Sequence, residues 1–213
     1  MVLCALRRAD CCRGPRTRTT WAAARYGHLD CLRFAVEAGC PWHQHTTSAA
    51  ASHGHLDCLR YAVEAGCPWH SRTTRAAADG GHLECLRFAV EAGCPWDPNT
   101  TWIAASNGHL ECLRFAVQAG VLGGYIVLEA AAGGHLDCLR FAIEAGCPWT
   151  PSTGEMVVAK GPCRVWLEAA RGAVNVIGSA WKASRRRRCA TFALCLNRLL
   201  PRDLAGAVMM NVI

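Results

Sequence analysis

The feature that most constrains this chain is a phrase it repeats. Gly27-His28 recurs as Gly54-His55, Gly81-His82, Gly108-His109 and Gly134-His135, so three spacings are of 27 residues and one is of 26. A fixed period in this range belongs to stacked-repeat architectures, in which each unit buries its apolar face only against its neighbours. The fold expected is therefore a stack, and function is to be sought on its surface.

One unit opens at Thr19-Thr20, a residue type suited to accept the first free N–H groups of a helix. The alanine-rich Trp21-Ala22-Ala23-Ala24 follows and predicts a short first helix closed by Gly27. A second helix is predicted after His28, because Leu29, Leu32, Ala35 and Val36 share one helical face, widened by Cys31 and Phe34. Asp30 complements the positive end of its dipole, and Arg33 with Glu37 makes an i,i+4 pair on the water face. Gly39 offers the left-handed residue that ends a helix, Pro41 keeps it from resuming, and Trp42 is an apolar anchor beside the stack. The unit reads helix, turn, helix, short loop.

The run Ala-Ala-x-x-Gly-His-Leu-Asp-Cys-Leu-Arg-Phe-Ala-Val-Glu-Ala-Gly-Cys, recurring in phase over residues 19–152, resembles the core of the ankyrin repeat. The family's unit is about 33 residues and opens Thr-Pro-Leu-His; here the opening is Arg-Thr-Thr-Trp and the shortfall lies between Trp42 and Thr46. The resemblance thus implies an all-α ankyrin-like solenoid with short loops in place of the family's β-hairpins. The Gly-Cys-Pro-Trp variety is similar to ankyrin proteins of giant DNA viruses and protists.

Charge is divided along the chain. Residues 1–18 carry +4, residues 19–152 carry −4 from 8 Arg and 12 acids, and residues 153–213 carry +7, which together give the formal +7. The 15 cysteines are placed by the repeat: Cys31, Cys58, Cys85, Cys112 and Cys138 hold one second-helix position, and Cys40, Cys67, Cys94 and Cys147 one position after it. Free cysteine packs as a small hydrophobe, so buried thiols in a reducing compartment are expected rather than disulfides. The start of the chain has no apolar core long enough for a signal peptide, and no run of 18 apolar residues occurs. The expectation is an intracellular, cytoplasmic or nuclear monomer, not secreted and not in a membrane.

Taken in order, residues 1–18 are expected to be a degenerate N-terminal cap and 19–152 five repeats. Residues 153–172 are expected to be an eroded sixth repeat around Gly161 and Pro162, with Val165, Trp166 and Ala169 continuing an apolar stripe. Residues 173–188 read as a basic linker and 189–213 as a C-terminal helical segment. Between repeats four and five, Val121-Leu122-Gly123-Gly124-Tyr125 replaces the Cys-Pro-Trp loop and one residue is lost, which makes this junction the place for a hinge or distortion.

No chemistry is assembled by these residues. His28 and Cys31, or Cys40 with His43 and His45, suggest zinc, but the second pair is not kept from unit to unit, so no metal and no cofactor are expected. No nucleophile with base and orienting acid, and no phosphate loop, can be picked out; the chain is read as non-enzymatic. What varies between repeats is informative instead. The second helix hardly changes, whereas three places do: Trp21, Ser48, Arg75 and Trp102 in the first helix; Arg25-Tyr26, Ser52-His53, Asp79-Gly80 and Ser106-Asn107 at its end; His43 and His45, His70 and Arg72, Asp97 and Asn99 in the loop. Positions free of packing constraint are expected to face outward and to line up along one side of the stack. Such a row, with Trp, Tyr and Arg as anchors, is what protein recognition requires, and it is the face the family resemblance implies. The partner itself is not identified.

Lys182 and Arg185-Arg186-Arg187-Arg188 admit nuclear import, contact with nucleic acid, or linker solubility; nucleic acid is not favoured, since no aromatics interleave. Leu199-Leu200-Pro201-Arg202-Asp203-Leu204 is similar to the opening of F-box motifs, which implies an alternative, a ubiquitin-ligase substrate adaptor recruited through residues 196–213. The reading favoured for this segment is an amphipathic helix covering the end of the stack.

Overall fold

The alanine-rich run and the Leu-Cys-Leu stripe each become one helix, five times over, in the computed structural model, which describes residues 16–123, 125–147 and 159–168. The pairs are α1 (Arg16–Arg25) and α2 (Leu29–Glu37), α3 (Thr46–Ser52) and α4 (Leu56–Glu64), α5 (Thr73–Asp79) and α6 (Leu83–Glu91), α7 (Thr100–Asn107) and α8 (Leu110–Gln118), α9 (Ile126–Gly133) and α10 (Leu136–Glu144). Residues 161–168 are helical as well. Among the described residues there is no strand, so short loops stand where hairpins would be. Helix α1 starts at Arg16, earlier than Thr19, and takes in residues expected in the cap.

The helix ends are built as glycine placement predicts. At Gly39, φ is +72°, its N–H reaches Val36 O at 2.9 Å, and the Cys40 N–H reaches Ala35 O at 2.9 Å. This pair of bonds satisfies carbonyls the helix would leave open and reverses the chain. The core of the first unit holds the leucines Leu32, Leu59, Leu86 and Leu113, and that of the second Leu139, each fully buried. Each contributes about 1.5–3 kcal/mol relative to exposure. Alanines of the first helices, including Ala24, Ala50 and Ala77, are buried beside them and let neighbouring repeats approach.

Three local expectations are corrected. The paired threonines do not cap their helices, since α3 and α5 have no side-chain cap bond. Instead they join repeats: Thr20, Thr47 and Thr74 Oγ1 accept the N–H of His43, His70 and Asp97 at 3.1, 3.1 and 3.0 Å. Thr46, Thr73 and Thr100 donate to the carbonyls of those same loop residues at 2.7–2.8 Å. A hydroxyl buried between helices finds loop backbone closer than its own first turn, which the sequence alone does not reveal. Arg33 lies 5.5 Å over the Tyr61 ring rather than pairing with Glu37, and Arg60 and Arg87 repeat this over Phe88 and Phe115. A ring face in the next repeat competes successfully with an exposed carboxylate worth a few tenths of a kcal/mol (about 0.3–0.5). In residues 161–168, Val165 is 68 % exposed, and the buried face is Cys163, Trp166 and Leu167.

The loop tryptophans anchor as expected: Trp69 Nε1–H donates to Ala92 O at 3.3 Å, and the Trp69 and Trp96 rings lie 6.4 and 6.0 Å from Phe88 and Phe115.

The described residues form two compact units, one reaching Ala104 and resuming over Glu111–Gly123, the other made of Ala105–Leu110 and the described residues from Tyr125 on. The break after Gly123 falls within the irregular junction of the sequence. In the second unit the Lys160 N–H donates to Ala131 O at 3.0 Å, which ties the helical residues 161–168 to repeat five. The expected N-terminal cap up to residue 15, most of the sixth repeat, Lys182, Arg185–Arg188 and residues 196–213 lie outside the described residues.

Candidate functional site

The short first helices are amphipathic in an unusual sense: threonines and alanines face inward, and whatever stands at the remaining positions faces out. In the first unit these outward positions border a groove of about 330 Å³. Helix α1 contributes Trp21 and Arg25; α3 contributes Ser48, Ala49 and Ser52, with His53 just past its end; α5 contributes Arg75, Ala76 and Asp79. His45, His70 and Arg72 enter from the loops. Ten of the eighteen residues singled out from repeat variation thus border one cavity. Ala49 and Ala76, which complete its floor, were not among them; their small size beside variable neighbours is the signal that could have found them.

The others sit elsewhere. Tyr26 is 63 % exposed at the end of α1, stacked beside Arg25. Asn99 Oδ1 accepts the Trp102 indole N–H at 2.8 Å, and the Trp102 ring lies under Arg75. Asn107 belongs to the second unit. His43 and Asp97 are loop builders: His43 Nδ1 accepts the His45 N–H at 3.2 Å, His70 Nδ1 the Arg72 N–H at 3.2 Å, and Asp97 Oδ1 the Asn99 N–H at 2.8 Å. Asp97, expected on the outward row, is 8 % exposed and so is corrected to a structural residue. Variation between His and Asp there keeps one function, an acceptor three residues before the helix, because either side chain can close this local turn.

The groove is rich in cations. Arg25 lies 5.2 Å over Trp21 and Arg75 5.9 Å over Trp102, which holds both guanidiniums against aromatic faces. His43, His45 and His70 form a chain of rings with centroid separations of 5.4 and 4.5 Å. Burial, then the neighbouring His45, then Arg18 or Arg72, hold His43 and His70 below the usual imidazole pKa. Both are thus neutral near pH 7, in keeping with Nδ1 acting as acceptor.

The histidines at the interhelix turn do a different job. His55 and His82 lie over the glycines of the preceding repeat, where a Cβ on Gly27 or Gly54 would come within 2.5 or 2.6 Å of the ring Nδ1. The described cysteines are all free, and most are buried. Burial pushes Cys58, Cys85, Cys112 and Cys138 up to about 11 in the second helices, and Cys67 and Cys94 likewise. Such thiols are protonated near pH 7 and pack as small apolar side chains. Among the described residues no three His, Cys, Asp or Glu side chains converge for a metal ion, and no helix is long and apolar enough to cross a membrane.

Among solved structures, the ankyrin repeat domain of human ASB11 is similar to this chain, with a TM-score of 0.54 and 19% identity over 93% of this chain and 97% of that one. At that identity the likeness speaks for the fold. No protein-family model matches the sequence, and no curated protein does.

Proposed function

We propose that this chain, a scaffold with the ankyrin-repeat fold, binds a partner protein along the first-helix groove of its first unit and catalyses nothing itself. The observation that carries the reading is the convergence of variable residues: repeats that keep their Leu, Cys and Gly frameworks differ where the groove is lined. A scaffold under packing constraint elsewhere is free to specialise there, and Trp21, Arg25 and Arg75 are of the types that dominate interface energetics. Free, buried thiols are in keeping with a reducing intracellular setting.

The test uses the full chain as bait with mass spectrometry, beside three variants. Ser48→Trp fills the groove with bulk and is expected to lose the partner. Glu84→Ala, on the exposed face of a second helix, is expected to keep it. A truncation ending at Arg188 is expected to keep it too; a ubiquitin-ligase adaptor lost only with that truncation would assign residues 196–213 a separate role. Retention of every partner by a folded Ser48→Trp variant overturns the groove reading.

A further inference from the structure

The groove contradicts the charge of the repeats that form it. Residues 19–152 carry more acids than arginines, yet the groove wall holds Arg25, Arg72 and Arg75 against one carboxylate, Asp79. The acids are placed on the second helices, where Asp30, Glu37, Asp57, Glu64, Glu84 and Glu91 are all exposed. These six outnumber the exposed Arg33, Arg60 and Arg87 of the same helices two to one, so the net charge of that face is negative and that of the groove positive, and none of the three groove arginines is in an ion pair with a carboxylate among the described residues. A concave wall of one sign concentrates the opposite charge and sets the choice of partner.

The geometry selects among anions. Arg25 and Arg75 are backed by Trp21 and Trp102, so their planar edges are pre-oriented for two parallel N–H···O bonds to a carboxylate. Those indoles are engaged already: Trp21 by Arg25 with His43 at 6.3 Å, and Trp102 by Arg75 with its N–H on Asn99. Nucleic acid would need free aromatic faces for its bases. Arg25 and Arg75 lie two repeats apart, a span of roughly 20 Å at helix-packing distances, which about six extended residues cover.

We infer that the groove takes an acidic stretch of the partner, an extended segment of Asp and Glu whose carboxylates meet Arg25, Arg72 and Arg75. This rests on the groove being the partner site and adds the chemistry of what enters it.

The test is fluorescence anisotropy on the full chain with a labelled peptide of three Asp-Glu pairs between Gly-Ser flanks, and with its Asn-Gln counterpart. Because the chain carries other basic segments, two variants are compared: Arg25→Gln with Arg72→Gln and Arg75→Gln, and separately Arg185–Arg188 all changed to Gln. Circular dichroism confirms that each is folded. The acidic peptide is expected to bind, the Asn-Gln peptide not. The groove variant is expected to weaken binding at least about tenfold, the other variant by less than about twofold, and raising salt from about 50 to about 300 mM to weaken it several-fold. The inference is overturned by absence of binding, by loss in the Arg185–Arg188 variant instead, or by a single-stranded oligonucleotide of equal charge binding the groove more tightly. If the acidic peptide fails while Ser48→Trp still abolishes partner capture, the groove stands as the partner site and only its acidic preference falls.

Discussion

Thr47 and Thr101 hold the same place in their repeats and face opposite outcomes on replacement by valine. Both are fully buried. Thr47 Oγ1 accepts the His70 N–H at 3.1 Å and lies 3.2 Å from Thr73 Oγ1, whereas Thr101 Oγ1 has no partner. Repeat four lacks the Pro-Trp-His or Pro-Trp-Asp loop that supplies this N–H in the repeats before it. Valine keeps the shape and removes the oxygen. Thr47→Val leaves a loop N–H without its acceptor, a loss of about 1–2 kcal/mol, given that this N–H is only partly buried. Thr73 loses its contact with Thr47 Oγ1 but keeps its bond to His70 O at 2.8 Å, so its hydroxyl stays paired. Thr101→Val removes a buried hydroxyl that gains nothing in the fold, so it is neutral or stabilising by up to about 1 kcal/mol. Urea unfolding followed by circular dichroism reads the two against wild type. Hydrogen exchange at residues 68–74 checks that the Thr47 effect is local, because repeat arrays need not unfold as one step. Equal destabilisation by both variants, or no change from Thr47→Val, would refute the account of these threonines as inter-repeat ties.

Further outcomes follow from the same packing. Gly54→Ala and Gly66→Ala both force a left-handed φ, +73° and +82°, on alanine at about 1–2 kcal/mol, but only at Gly54 does the new Cβ also meet a ring, that of His82; thermal melts should show Gly54→Ala clearly the worse, and equal melting points would sink the role given to His82. His43 and His70 have folded pKa values below the ordinary one, so the unfolded chain binds protons first and stability falls as pH drops through about 6.5. Urea midpoints between about pH 7.5 and 5.5 should show this loss, and His43→Asn with His70→Asn, which keep an acceptor and cannot titrate, should flatten it; an unchanged slope would count against the turn geometry. Cys58, Cys85 and Cys112, raised from 9.0 to about 11, have their thiolate fraction cut about 100-fold near pH 8. Site-resolved alkylation should be at least that much slower in the folded protein than in urea, and comparable rates would show that these thiols are not packed as described.

The period and the framework glycines were enough to place every described helix to within a few residues, because each fixes a backbone event: Gly39 a left-handed close, Gly27 and Gly54 a turn on which the next histidine rests. Leu32 and Cys31 likewise declared their faces through spacing. What the residues did not declare was side-chain direction. Thr20 and Thr47 have hydroxyls that serve a helix start or a neighbouring loop with equal chemistry, and only the close approach of repeats decides for the loop. Arg33 faced a similar choice between Glu37 and Tyr61. Variation also proved two different things. At Trp21, Ser48 and Arg75 it marks groove wall, whereas at His43, His70 and Asp97 it conceals one retained acceptor role.

The central claim, that the first-helix groove is where a partner sits, is tested most directly by photo-crosslinking. A benzophenone amino acid is placed at Ser48, in the groove, or at Asp57, on the exposed face of α4, and the full chain is irradiated with the partner it recovers. An adduct from Ser48 and none from Asp57 is the result predicted. An adduct from Asp57 with none from Ser48 would place the partner on the second helices and contradict the account.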